Sequence, residues 1–248
     1  MELVSVIMPY YKKKAFVERS INSVLRQTYK NHELIIIYDD SNLEDLFFLR
    51  KITREKKCKI LLNKQNLGAG LSRNKGISAA RGKYLAFIDS DDTWSIRKLE
   101  KQIAFMRRKN LDVTHTSYKI LNNRGEFLGF RKAKDLVYKN LLKSCDIGLS
   151  TVILKKKILL DNSLKFTDLR TKEDYLLWLK ISKLETKFYG LKNVLTIRKE
   201  VKNSLSSSTF QKIKDSYLVY NKYMNFSFSK SLFLVFQLSL FYLWKYIR

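Results

Sequence analysis

Proline occurs once and glycine eight times in this 248-residue sequence, which leaves no room for a collagen-like, linker-rich or low-complexity segment. Two cysteines, Cys58 and Cys145, exclude a disulfide framework and suit a reducing compartment. Two histidines, His32 and His115, leave little for a His-rich zinc site. No basic start followed by a long apolar run opens the chain, so no secretory signal is expected, and no internal repeat is visible. Acidic residues are scarce too: 23, against 49 Lys plus Arg, for a net charge of +26. Such a surplus suits contact with nucleic acid, anionic headgroups or phosphorylated substrates, and a lysine-rich solvated surface explains it equally well. Charge alone decides nothing.

What is present is a globular composition, 45% hydrophobic and 29% charged, in a chain long enough for one large domain or two small ones. Leu3–Met8, Glu33–Tyr38, Lys59–Leu62 and Tyr84–Ile88 are apolar, β-branched runs that read as strands buried on both faces of a parallel sheet. Between them Val17, Ile21, Val24 and Leu25 fall at helical spacing. Leu43, Leu46, Phe47 and Ile52 do much the same, and Gly70–Arg81 reads as a third helix. This βαβαβαβ order predicts an α/β sheet with helices on both sides. Further on, Asp112–Tyr118 and Thr151–Leu154 read as strands, with a hairpin around Asn123–Gly129 and helices over Asp135–Lys143 and Lys172–Lys183. No linker divides the chain.

Five of the few aspartates form two clusters, each just after a strand: Asp39 and Asp40, then Asp89, Asp91 and Asp92. Pro9, Tyr10 and Tyr11 follow the first strand in the same way. Ligands of open α/β sheets bind beyond the carboxyl ends of the strands, so the three groups are expected to converge. Asp after a strand is also a common turn or cap residue, but two clusters at equivalent strand ends favour a site. Hard oxygens at Asp89 and Asp91 suit Mg²⁺ or Mn²⁺ shared with substrate phosphates. Asn66–Gly82 carries four glycines with Arg73 and Lys75 between them, so backbone there can approach a diphosphate and Arg73 can pair with its charge. Gly82 reads as a helix C-cap.

The succession VSVIMPYY (Val4–Tyr11), ELIIIYDDS (Glu33–Ser41), NLGAGLSRNKGISAARGKYLAFIDSDD (Asn66–Asp92) and KEDYLLWL (Lys172–Leu179) resembles the inverting family 2 glycosyltransferases of GT-A fold, bacterial surface-polysaccharide type. The resemblance covers about Leu3 to Ser207. It implies a GT-A-type Rossmann-like mixed sheet with helices on both faces. Pro9 and Tyr11 would flank the nucleobase and Asp39 would bond its edge. Asp89, Ser90 and Asp91 would form the DxD segment, with Asp91 on the Mn²⁺ or Mg²⁺, and Arg73 would lie near the phosphates or donor sugar. Asp174 would be the general base, with Glu173 and Trp178 on the acceptor side; an aromatic one turn along an amphipathic helix is as often core. The donor would be a nucleoside-diphosphate sugar, UDP-linked by preference, and the acceptor a glycan or lipid-linked glycan.

Three positions depart from that pattern. Lys12 stands where Asn usually follows the Pro-x-Tyr run, and Ser41 replaces the Gly after the Asp pair. The Ser204–Ser206 run follows Glu200, Val201 and Lys202 instead of the usual His, which leaves the third metal contact unassigned. Two other readings compete. Asp89-Ser90-Asp91-Asp92-Thr93 also fits the nucleophile motif of haloacid-dehalogenase-type phosphohydrolases, although nearly ninety residues precede it here. A basic nucleic-acid-binding module is the third, but its Lys and Arg are dispersed and no zinc-finger or helix-turn-helix pattern stands out; no nucleic-acid partner is expected.

Ser231–Ile247 is a nearly unbroken apolar and aromatic run with Lys230, Lys245 and Arg248 at its ends. As a helix it would reach about 26 Å at about 1.5 Å per residue, short of a hydrocarbon core of about 30 Å. A tail lying in an anionic membrane interface is preferred to a span, with docking on the catalytic domain or dimerisation as alternatives. The expected organisation is a catalytic domain over 1–225, with a nucleotide-sugar half (1–92) and an acceptor half (93–225), and a membrane-associating tail over 226–248. The protein would be cytoplasmic, peripheral on the inner face of the cell membrane.

Overall fold

The computed structural model describes residues 1–54, 57–200 and 208–247; Val201, Lys202, the Ser204–Ser206 run and Arg248 lie outside the described residues. The first part alternates β1 (Val4–Tyr10), α1 (Lys14–Leu25), β2 (His32–Tyr38), α2 (Leu43–Thr53), β3 (Cys58–Leu62), α3 (Ala69–Ala79) and β4 (Tyr84–Phe87). There follow β5 (Thr93–Trp94), α4 (Lys98–Arg108), β6 (Val113–Asn122), β7 (Phe127–Arg131), α5 (Tyr138–Leu141), β8 (Ile153–Lys155) and α6 (Lys157–Asp161). The chain continues through α7 (Glu173–Lys183), β9 (Tyr189–Glu200), α8 (Thr209–Leu218), a π-helical turn at Val219–Tyr223 and α9 (Phe228–Ile247).

All strands join one sheet in the order β3-β2-β1-β4-β8-β6-β9-β5, with β7 on β6. β3, β2, β1 and β4 run parallel, β8 is antiparallel to β4 and β6, and β9 runs parallel to β6, so the sheet is mixed as the resemblance implied. The central strands show why their sequence is apolar without alternation. Val6, Met8, Leu34 and Ile36 face one core with α1, α2 and α4, while Ile7, Ile35, Ile37 and Phe87 face the other with α3 and α7. Successive side chains on a strand point to opposite faces, and both faces are covered. Each such aliphatic contributes about 1.5–3 kcal/mol by leaving water.

Two close approaches depend on glycine. A Cβ on Gly76 would lie 2.7 Å from Ile7 Cγ2 and 2.8 Å from Ile37 Cδ1, so α3 lies tight on the sheet. A Cβ on Gly70 would lie 2.2 Å from the carbonyl oxygen of Thr167. These glycines therefore bring backbone close to the protein's own chain. Gly82 is no helix cap: α3 ends at Ala79, and Gly82 N donates to Ser5 Oγ where the chain passes β1.

The helix expected over Asp135–Lys143 shrinks to Tyr138–Leu141, because Leu136 exchanges two backbone bonds with Phe188 (2.9 Å each) and is extended there. The twelve-residue β9 and the helix α4 had no counterpart in the sequence reading; in β9, Lys192, Asn193, Arg198 and Lys199 mask any apolar run. In α9, Ser231, Leu234 and Leu238 are buried, and Leu234 and Leu238 join the core formed with Val219, Tyr220 and Met224. Leu232, Phe233, Phe236 and Leu240, on the other side, are exposed. No helix among the described residues is long and apolar enough to cross a membrane.

Candidate active site

The carboxyl ends of β1, β2 and β4 meet as the acid clusters predicted. Lys12, in the left-handed region (φ +50°), donates its N–H to Asp40 Oδ2 at 3.1 Å. Lys13 Nζ lies 2.8 Å from Asp91 Oδ2, which ties the β1 end to the β4 end. Pro9 is half-buried beside them and Tyr11 is exposed, with Lys12 Nζ over its ring 5.1 Å from the centroid.

Asp39 is placed differently from expectation. It is buried, and its oxygens accept from Asn63 Nδ2 (2.7 Å), Leu67 N (2.8 Å) and Gly68 N (2.8 Å). In this arrangement its carboxylate holds the start of the glycine-bearing segment, with Oδ2 accepting from Gly68 N alone. Three donors converging on one buried carboxylate satisfy a charge that would otherwise be costly to desolvate.

The β4 end is held from several directions. Asp89 N donates to Ser150 Oγ at 3.1 Å, and the Ser150 carbonyl accepts from Trp94 Nε1 (2.8 Å) and Thr196 Oγ1 (3.3 Å). Ser90 is buried, with its carbonyl accepting from Ser20 Oγ at 2.9 Å, so its part in the loop is backbone placement. Asp92 Oδ1 accepts from Lys199 N at 2.9 Å, anchoring the loop to β9. Burial, and then the charge of Asp91, push Asp92 well above the usual carboxylate range; burial and Asp89 push Asp91 up, against the pull of Lys13. Arg198 on β9 faces Tyr118, Asp92 and Asp89 electrostatically. Sequence reasoning missed Lys13, Ser150 and Arg198, since no spacing relates them to the aspartates.

Arg73 joins this loop to α7. Its Nη2 lies 2.8 Å from Asp89 Oδ1 and its Nη1 2.6 Å from Glu173 Oε1, with its Nε unpaired among the described residues. Arg73 is therefore at the β4 end as expected, but as the partner of two carboxylates. Asp174 follows Glu173 in the first turn of α7, where the positive end of the helix favours carboxylates. Burial pushes Glu173 up to about 7 and raises Asp174, while Arg73 pulls both back. A carboxylate with a raised pKa is suited to accept a proton near neutrality.

Trp178 is not at any acceptor surface. It is completely buried, with its ring 5.6 Å from Phe188 and 6.3 Å from Phe87 and Phe166. Four residues along α7 from Asp174, on the same face, the helix has run from its partly buried first turn into the core.

The donor set suits a hard divalent ion. Arg73 engages Asp89 Oδ1 and Lys13 engages Asp91 Oδ2, which leaves the second oxygen of each without a side-chain partner among the described residues. No group of three or more His, Cys, Asp or Glu that could hold a metal occurs among the described residues, so most of the coordination shell would have to come from diphosphate and water.

A mixed α/β sheet with acid clusters at its carboxyl edge and a basic bridge to a carboxylate pair is suited to an enzyme acting on a phosphorylated substrate. The model of glycosyl transferase family 2 matches residues 5–151, and the chain belongs to that family. It is a glycosyltransferase of GT-A fold. Over 181 residues it is 40% identical to WfgD of Escherichia coli, a UDP-Glc:alpha-D-GlcNAc-diphosphoundecaprenol beta-1,3-glucosyltransferase, covering 73% of this chain and 70% of that one. WfaP of Escherichia coli, with the same described activity, is 35% identical over 215 residues, covering 86% and 83%. In structure the chain is similar to S. aureus TarS 1–349 in complex with UDP-GlcNAc, with a TM-score of 0.73 at 22% identity over 95% of this chain and 70% of that one. Family membership sets aside the phosphohydrolase reading.

Proposed function

We propose that the protein transfers a hexose from a UDP-sugar to a hydroxyl of a sugar carried on a lipid diphosphate, with inversion at the anomeric carbon, in surface-polysaccharide assembly. The observation that carries this reading is the Asp89–Arg73–Glu173 chain, which puts the carboxylate pair of α7 next to the loop at the β4 end. Asp174 takes the proton from the acceptor hydroxyl as it attacks opposite the diphosphate. Pro9 and Tyr11 border the nucleobase, and Glu173 orients the acceptor side through Arg73. A Mn²⁺ or Mg²⁺ held at Asp91 would neutralise charge on the departing diphosphate. The substrates that the names of WfgD and WfaP describe support this donor and acceptor class.

The exposed apolar side of α9, with the exposed Lys230 in its first turn, supports placement against an anionic membrane on the cytoplasmic side, where a lipid-linked acceptor is presented. The test is incubation of full-length protein and Mn²⁺ with UDP-glucose and a synthetic GlcNAc-diphosphate-lipid. Release of UDP together with a β-linked disaccharide, read by NMR, is expected. An α-linked product, or no transfer from any UDP-hexose to this acceptor class, overturns the reading.

A further inference from the structure

The chain enters α7 through a strained turn. Lys172, directly before Glu173 and Asp174, has φ +66°, a left-handed conformation that a lysine adopts only when its surroundings impose it. Part of that surrounding comes from α8. Asp215 is buried there, and its Oδ2 accepts from Thr171 N at 2.9 Å and Thr171 Oγ1 at 2.8 Å. Its Oδ1 accepts from Gln211 Nε2 at 2.8 Å. The carboxylate thus spends its bonding on the residue that precedes the strained lysine, and all three donors are uncharged.

The π-helical turn after α8 is fixed to the first turn of α7. The hydroxyls of Tyr175 and Tyr220 are 2.8 Å apart and share two protons among themselves and the carbonyls of Leu141, 2.6 Å from Tyr175, and Leu142, 2.8 Å from Tyr220. On the opposite side Gly70 leaves just enough room, since a Cβ there would lie 3.2 Å from Glu173 Cγ. The first turn of α7 is therefore held between α3 and α8.

We propose that Asp215 is a positioning residue for the general base. By fixing Thr171 it keeps Lys172 left-handed and sets the direction in which the first turn of α7 presents Asp174. The inference rests on the assignment of Asp174 as base. A carboxylate accepting a backbone N–H and a hydroxyl away from water is a strong, directional restraint. A displacement of about 1 Å at a reacting group lowers turnover by as much as about 10²-fold.

The experiment compares full-length Asp215→Ala, Thr171→Val, their combination, Thr171→Ser, Lys172→Gly in the Asp215→Ala background and Asp174→Asn with wild type, using UDP-glucose and the lipid-diphosphate acceptor for turnover and calorimetry for UDP affinity. Alanine is used at 215 because an Asn oxygen could still accept both Thr171 donors. Asp215→Ala and Thr171→Val are each expected to lower kcat by about 10- to 100-fold, with the Kd for UDP and the KM for donor nearly unchanged. Their combination loses no more than the worse single variant, because both break the same contact. Thr171→Ser, which keeps the hydroxyl, retains near wild-type kcat. Lys172→Gly, free to adopt the left-handed turn without restraint, recovers part of the loss in Asp215→Ala. Unchanged kcat in Asp215→Ala overturns the inference, as do multiplicative losses in the double variant or a parallel loss of kcat and UDP affinity. If Asp215→Ala loses too much fold to measure, Thr171→Val decides alone by the same criteria. Full turnover in Asp174→Asn overturns the base assignment itself and this inference with it; full turnover confined to Asp215→Ala leaves the base assignment standing.

Discussion

Arg73 Nη1 lies 2.6 Å from Glu173 Oε1, although a hundred residues of chain separate them. The same guanidinium holds Asp89 at 2.8 Å, so one buried cation ties the β4 loop, α3 and α7 together. A guanidinium presents its donors in a planar fork, which lets it serve two carboxylates at once; a lysine offers only a point charge.

Replacing Arg73 by Met leaves Glu173 buried without its counter-ion. Breaking a buried pair by removing one partner costs about 3–5 kcal/mol, discounted here because Asp89 is more than a third exposed. We expect a loss of about 2–4 kcal/mol in urea unfolding, together with loss of transfer. A stability within about 0.5 kcal/mol of wild type, the range of ordinary surface substitutions, would show that the bridge holds nothing together.

Asp174→Asn should keep the fold and UDP affinity while lowering kcat by about 10²–10⁴-fold, the usual contribution of a general base. Single-turnover measurement with bound donor checks this directly. Turnover close to wild type would leave Asp174 as a helix-end residue only.

The carboxylate pair also sets a pH dependence. Asp174 acts as base only when ionised, and burial raises its pKa while pushing Glu173 up to about 7. Turnover should therefore fall as pH drops through a value above the ordinary 3.8 of an aspartate, and stay level at higher pH. The charge of Asp174 helps to hold Glu173 up, so Asp174→Asn should let Glu173 titrate at lower pH, read by NMR. A limb in wild type at or below the ordinary carboxylate value would count against the pair.

The two sides of α9 should separate by experiment. Phe233→Ser with Phe236→Ser, on the exposed side, is expected to reduce cosedimentation with anionic vesicles at low salt and leave the melting temperature nearly unchanged. Leu234→Ala or Leu238→Ala, on the buried side, should cost about 2–4 kcal/mol of stability and leave vesicle binding intact. Deleting 226–248 confounds the two effects, because it strips cover from Tyr220 and Met224 as well. Equal vesicle binding by wild type and the double serine variant would remove the membrane role from this face.

The parallel half of the sheet was legible in the sequence because a strand buried on both faces has no polar side to hide, and only a doubly covered sheet accommodates Leu34–Tyr38. The acid clusters were legible for a related reason: in a chain of net charge +26, aspartates repeated at strand ends stand out against the background. The same local patterns misled where a residue's neighbours come from far along the chain. Asp39 turns inward to a loop that starts 24 residues later, and Leu136 is drawn into a bridge with Phe188 that cuts the helix expected over Asp135–Lys143 down to one turn. Trp178 sits at helical spacing from Asp174, which allowed either a pocket wall or a core position; the rings of Phe87, Phe166 and Phe188 decided for the core. Lys13, Ser150, Arg198 and Asp215 gave no signal at all, since a lone polar residue reads as solvated until folding brings its partner. Propensity and hydrophobic period act over a few residues, and so determined the strands and the early helices. Ion pairs and buried carboxylates are settled by desolvation against partners that only the tertiary structure supplies, and that decided which aspartates are buried in the scaffold and which stay partly open at the strand ends.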